Sequence, residues 1–100
     1  MKVYGGLSKD QAQRILRQNY GRYRLCYEQR LRANLNLTGR VTVRFVIDHK
    51  GAVPRINIDS SRLPDSGVVN CILRAAYGVN FPKPQGRVAT VIQTISFAPH

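Results

Sequence analysis

Between Gly39 and Gly51 the chain reads GRVTVRFVIDHKG. Val41, Val43, Phe45 and Ile47 alternate with Arg40, Thr42, Arg44 and Val46. A period of two places the first set on an apolar face and the second on a mostly wet one, the mark of a half-buried strand rich in β-branched residues. Asp48 to Gly51 then supplies turn chemistry, with Gly51 free to take the positive φ that a short hairpin loop needs. Ala52 to Ser60 is expected to return as the partner strand, with Val53, Ile56 and Ile58 apolar. Pro54 cannot donate to a ladder and so argues for an edge position or a bulge there.

Upstream, Gly5-Gly6 reads as the end of a linker, so residues 1–6 are taken as a linker remnant and 7–98 as the domain. Ser8 and Gln11 have capping-box spacing, which starts a helix at Lys9. Ala12, Leu16, Tyr20, Tyr23, Tyr27 and Leu31 recur at three- and four-residue steps, flanked by Ile15 and Cys26. This stripe predicts an amphipathic helix to about Ala33, with a break or kink allowed at Gly21. Arg14, Arg17, Arg24 and Arg32 form an opposite, basic face, and Glu28 stands four residues from both Arg24 and Arg32. By default that face is simply solvated; its sharper reading is a contact for an acidic partner or cell-wall polymer.

After the hairpin, Ser60 to Asp65 is a polar connection. Val68, Val69, Ile72, Leu73, Ala75, Ala76 and Val79 predict a second helix from about Ser66, capped by Asp65 or Ser66. Gly78 and Asn80 end it, and Phe81-Pro82-Lys83-Pro84 forbids its continuation. Arg87 to Phe97 is the last strand, with Ala89, Val91, Ile95 and Phe97 on one face and Val88, Thr90, Ile92, Thr94 and Ser96 on the other. The predicted fold is α+β: helix, strand, strand, helix, strand, with a three-stranded antiparallel sheet of order 2-1-3 and both helices on one face. The last strand lacks proline, glycine and charge from Val88 onward, the guards that edges normally carry. Val88, Thr90, Val91, Ile92, Gln93, Thr94, Ile95 and Ser96 are therefore expected to form an open edge for strand addition.

Sixteen Lys and Arg against five Asp and Glu give a net charge of +11 in 100 residues. Such a surface favours anionic partners without choosing among nucleic acid, lipid headgroups, acidic glycan or acidic protein. A small nucleic-acid-binding domain is thus an alternative to a protein-binding one. The three tyrosines of the first helix fit core spacing better than base stacking, and Phe45 and Phe97 are inward on their strands. Enzyme readings lack parts: the chain has no G-x-S-x-G, no sensibly spaced Cys/His pair and no phosphate-cradling glycine loop. Cys26, Cys71, His49 and His100 have no zinc-ligand spacing. No catalytic residue, metal or cofactor is expected. His49 is expected in a solvent-exposed turn, and His100 is read as a remnant outside the domain. Cys26 and Cys71 fall on the inner faces of the two helices, either as buried thiols acting as small hydrophobes or as a disulfide.

The run Gly39-Arg40-Val41-Thr42-Val43-Arg44-Phe45-Val46-Ile47, with Asp48, Lys50-Gly51-Ala52-Val53, Ile56-Asn57-Ile58 and Ser60-Ser61, resembles the C-terminal domain of TonB. Phe81-Pro82-Lys83-Pro84 looks like that domain's aromatic-x-Pro segment. Gly6-Leu7-Ser8, Cys26-Tyr27-Glu28 and Cys71-Ile72 are closer to the TonB-like C-terminal domain of the AgmX/PglI type, associated with gliding motility. The resemblance covers roughly Leu7 to Phe97.

It implies a periplasmic domain of an inner-membrane-anchored protein that passes on energy or force. Such a domain pairs a sheet edge with an extended segment of an outer-membrane or periplasmic protein, with no catalysis and no nucleic acid. It also implies that Cys26 and Cys71 are disulfide-bonded in an oxidising compartment. Self-association through the same edge is a further expectation.

Overall fold

The computed structural model describes residues 1–99; His100, expected to be a remnant, lies outside the described residues. Six elements follow in order: β1 (Lys2–Gly6), α1 (Lys9–Leu31), β2 (Gly39–Ile47), β3 (Arg55–Ser61), α2 (Ser66–Ala76) and β4 (Gln85–Phe97). The fold is α+β, elongated at 45 × 20 × 19 Å. The sheet order is β1-β4-β2-β3, and every pairing is antiparallel.

Three of these strands take the expected order, with β2 between β3 and β4. The fourth is a correction. Lys2–Gly6, read as linker, is a strand: Lys2, Val3 and Tyr4 lie opposite Ile92, Val91 and Thr90, and Gly6 lies opposite Gln85 across a register shift. The glycines that suggest a linker are what let the two strands close up. A Cβ on Gly6 would sit 1.7 Å from the Gln85 carbonyl oxygen, and Gly5, at φ +93°, would put one 2.6 Å from that of Val88. Backbone so near backbone excludes any side chain.

Burial along β2 alternates as the sequence predicts: Val41, Val43, Phe45 and Ile47 are buried, while Thr42, Arg44 and Val46 are only partly so. The hairpin loop is longer than expected because β3 starts at Arg55, leaving Pro54 outside the ladder. Asp48 holds the turn, accepting from the Lys50 and Ala52 amides at 2.9 and 3.0 Å. Gly51 at φ +87° then meets the Phe81 carbonyl, and the Phe81 amide donates back to the Gly51 carbonyl at 3.2 Å. A register shift between Thr42 and Val43 leaves Asp59 as an extra residue of β3. The bulge turns its carboxylate toward Arg44, which it meets at 2.8 Å.

Helix α1 is capped by Ser8, whose hydroxyl accepts from the Gln11 amide at 3.4 Å. Its 23 residues form one helix through Gly21, which faces open space. Its buried side is Ala12, Leu16, Asn19, Tyr23, Cys26 and Tyr27; Asn19 takes the place expected for Tyr20, which is exposed. Helix α2 is capped by Asp65, accepting from the Gly67 and Val68 amides, and buries Val68, Ile72 and Ala76. Both helices join the inner sheet residues in a single core in which Phe45 meets Phe81 edge-on and Tyr27 stacks on Phe97.

Candidate functional site

A recessed surface lies where β4 outruns β1. Strand β2 pairs with β4 from Ala89 to Phe97, but β1 pairs with it only from Gln85 to Ile92. The expected binding edge therefore divides. Thr90, Val91 and Ile92 stand in an interior stretch flanked by β1 and β2, and Val88 lies beside β1 just outside the β2 ladder, which corrects the expectation that all of β4 is open. The reason is local: Lys2-Val3-Tyr4 is a short extended segment whose amides and carbonyls satisfy that half of the edge. Beside Gln93, Thr94, Ile95 and Ser96, no strand among the described residues takes up the other side of β4.

A groove of about 790 Å³ lies against this open end, lined on the helix side by Tyr20, Arg24, Leu25 and Leu31 and on the strand side by Ser96 and Phe97. Residues on α1 three and four apart share one face, so Tyr20, Arg24 and Leu31 form one wall. Leu25 and Leu35, at the rim, are 57% and 73% exposed. Tyr27 forms the floor, stacked on Phe97 with ring centroids 4.9 Å apart, and its hydroxyl donates to the Leu37 carbonyl. Burial pushes the Tyr27 phenol up from its ordinary pKa, so it remains a neutral donor. The Thr38 hydroxyl donates to the Phe97 carbonyl at 2.9 Å and holds the end of β4 in place.

Arg14, Arg17 and Arg24 on α1 and Arg32 at its C-cap are all exposed, as expected of a helix face turned from the core. Arg24 is not free, since its Nε donates to Glu28 at 2.7 Å. Arg24 and Arg32 line the groove; Arg14 and Arg17 do not. Cys26 and Cys71 form a disulfide between α1 and α2 with Cα atoms 5.7 Å apart. The two helices run antiparallel there. On one side Arg30 donates to Asp65 at 3.0 Å, and on the other Arg22 crowds Gly78 at the end of α2. The hydrogen bond from Arg30, with those from the Val68 and Gly67 amides, holds the Asp65 carboxyl below the usual aspartate range.

Among the described residues no three or more His, Cys, Asp or Glu side chains come together to hold a metal ion. None of the described helices is long and apolar enough to cross a membrane. His49 is exposed in its turn.

Sequence reasoning missed the groove because its walls come from α1 and from the end of β4, which are far apart in the chain and meet only in the fold. The exposed leucines Leu25 and Leu35 are the signal that could have found it: each stands outside the apolar stripe to which a core residue belongs.

The fold is that of TonB C-terminal domains. It matches the NMR structure of the Helicobacter pylori TonB C-terminal domain (residues 179–285) at a TM-score of 0.66 and 25% identity, over 93% of this chain and 84% of that one. A shorter form of the same domain (residues 194–285) aligns at 0.56 and 23% identity over 85% of this chain and 94% of that one. The Pseudomonas aeruginosa TonB C-terminal domain aligns at 0.53 and 22% identity over 69% of this chain and 72% of that one. No family model and no curated protein matches the sequence.

Proposed function

We propose that this domain is a protein-interaction module of a bacterial cell envelope, working in the periplasm as part of a TonB-like energy-transducing or gliding-motility protein anchored in the inner membrane. It grips an extended segment of an outer-membrane or periplasmic protein by strand addition. The observation that carries the reading is the overhang of β4: among the described residues Gln93–Phe97 is paired by β2 on one side only and opens beside a groove of mixed apolar and charged lining. A segment laid there continues the line of β1, satisfies backbone groups of β4, and places alternate side chains under Tyr20 and Leu31. The likeness to TonB domains supports the compartment and the partner class, and the Cys26–Cys71 bond suits an oxidising space. The cysteine pair also favours the gliding-motility type. The domain has no catalytic role in this reading.

The test is amide-shift mapping of the labelled domain with extended peptides from periplasm-facing segments of outer-membrane proteins of the same cell. Shifts should gather on Gln93–Phe97, Tyr20, Leu31 and Leu35 and depend weakly on salt. Shifts confined to Arg14 and Arg17, or a steep salt dependence, would replace strand addition with a purely electrostatic contact.

A further inference from the structure

Among the described residues nothing covers the face of the sheet away from the helices, and it is neither plain nor evenly polar. Register places its side chains in two neighbouring rows. One reads Arg55, Val46, Thr90, Tyr4 across β3, β2, β4 and β1; the next reads Asn57, Arg44, Ile92, Lys2. Beside the first row Val88 is 52% exposed and Tyr4 is 55% exposed, while Val46 and Ile92 remain partly exposed. The apolar centre is thus an aromatic and three aliphatic side chains on one face of the sheet. Around it stand Lys2, Arg44 and Arg55, with Arg40 two rows further along the same face opposite Ser96, against the single carboxylate of Asp59. Arg44 is occupied by Asp59; among the described residues Lys2, Arg40 and Arg55 have no acidic partner.

We infer that this open sheet face is a docking surface for an anionic lipid bilayer. Two properties are needed together at such an interface: cations that meet lipid phosphates, and an amphipathic aromatic with aliphatic neighbours that enter the headgroup layer. The face has both. A soluble polyanion would use the cations alone and leave Tyr4, Val88, Val46 and Ile92 in water. Stacking of single-stranded nucleic acid would ask for more than one exposed ring on the strands, and Tyr4 is the only exposed aromatic that the described strands present. The surface lies opposite the helices and apart from the groove, so docking leaves the overhang of β4 free and does not depend on the strand-addition reading.

The experiment is sedimentation of the domain with phosphatidylcholine vesicles, with and without phosphatidylglycerol, beside a heparin titration. The domain should bind only the phosphatidylglycerol vesicles. Each interfacial cation contributes about fivefold, so Arg40→Glu with Arg55→Glu should lose more than about tenfold. Arg14→Glu with Arg17→Glu, the same charge change on the helix side, should lose far less. Tyr4→Ser with Val88→Ser should weaken vesicle binding and leave heparin binding unchanged. The chain has no tryptophan, so Tyr4→Trp gives a single reporter whose emission should shift to the blue on vesicles. Equal losses from the sheet and helix variants would overturn the proposal in favour of undirected charge. An unshifted Tyr4→Trp emission, or heparin binding lost with the sheet variants while vesicle binding persists, would overturn it in favour of a soluble polyanion.

Discussion

Cys26 of α1 and Cys71 of α2 are joined by a disulfide close to the ion pair of Arg30 with Asp65, which links the same two helices. Two links of different chemistry, one covalent and one ionic, therefore fix α1 to α2 along the C-terminal half of α1. The groove wall of Tyr20, Arg24 and Leu31 lies on that half of α1. Stiffness of the helix pair is thus stiffness of the candidate binding surface.

The disulfide closes a loop with a sequence separation of 45. In the chain-entropy account such a closure stabilises the native state by about 4 kcal/mol. Replacing Cys26 and Cys71 by alanine should lower the denaturant midpoint accordingly, and reduction of the native protein should do the same. Intact mass after alkylation without reductant checks the bond itself, which should leave no thiol to be labelled.

Phe45 is fully buried and meets the ring of Phe81 at 5.6 Å between centroids. Phe45→Ala should cost ~3–5 kcal/mol. Arg44, one residue away on the outer face, should be replaceable by alanine with little change in the denaturation midpoint. Equal midpoints for the two variants would contradict the register of β2.

Asp65 couples the α2 cap to Arg30, and its carboxyl is held below the ordinary value chiefly by that hydrogen bond. A depressed folded pKa means the unfolded state binds the proton more readily. The contribution is therefore fully present above the unfolded aspartate value of about 4 and lost as pH falls through the lower folded value. Asp65→Asn keeps a competent cap but removes the charge. Unfolding midpoints across the acid limb should converge for the variant and the parent as pH drops, and differ most near neutrality.

Much of this fold can be read directly from the sequence, because the strongest signals are local and periodic. The alternation of β2, the caps at Ser8 and Asp65, and the halt at Phe81-Pro82 each depend on residues within one turn or strand. What escapes is decided by long-range pairing. Gly5 and Gly6 look like a linker until Gln85 and Val88 arrive beside them, and only then is β4 an interior strand. Asn19 replaces Tyr20 in the core because the buried positions Ala12, Leu16, Asn19, Tyr23 and Cys26 alternate steps of four and three, and on that face Tyr20 falls at the flank. Pro54 suggests a bulge, and β3 has one, but at Asp59, where the Arg44 pair makes use of it.

The overhang itself gives the last prediction. Lys2 lies opposite Ile92 in an antiparallel pair, so chain added before Met1 would run alongside Thr94 to Phe97. A short alternating segment such as Val-Thr-Val-Thr, fused directly there, places its valines opposite Ile95 and Phe97 and should complete the ladder and fill the groove with those inward side chains. Its own amides and those of β4 that point to the open side should then exchange more slowly with solvent, while the amides that bond β2 change little. The same fusion should block binding of a free extended peptide, because both need one set of backbone groups. A control segment with proline at alternate positions removes donors that the ladder requires and should neither protect β4 nor compete. Amide exchange and peptide titration on the two fusions check the outcome. If the proline segment blocks the peptide as well as the valine segment does, the groove is being filled by bulk alone, and backbone pairing along Gln93–Phe97 is not the basis of binding.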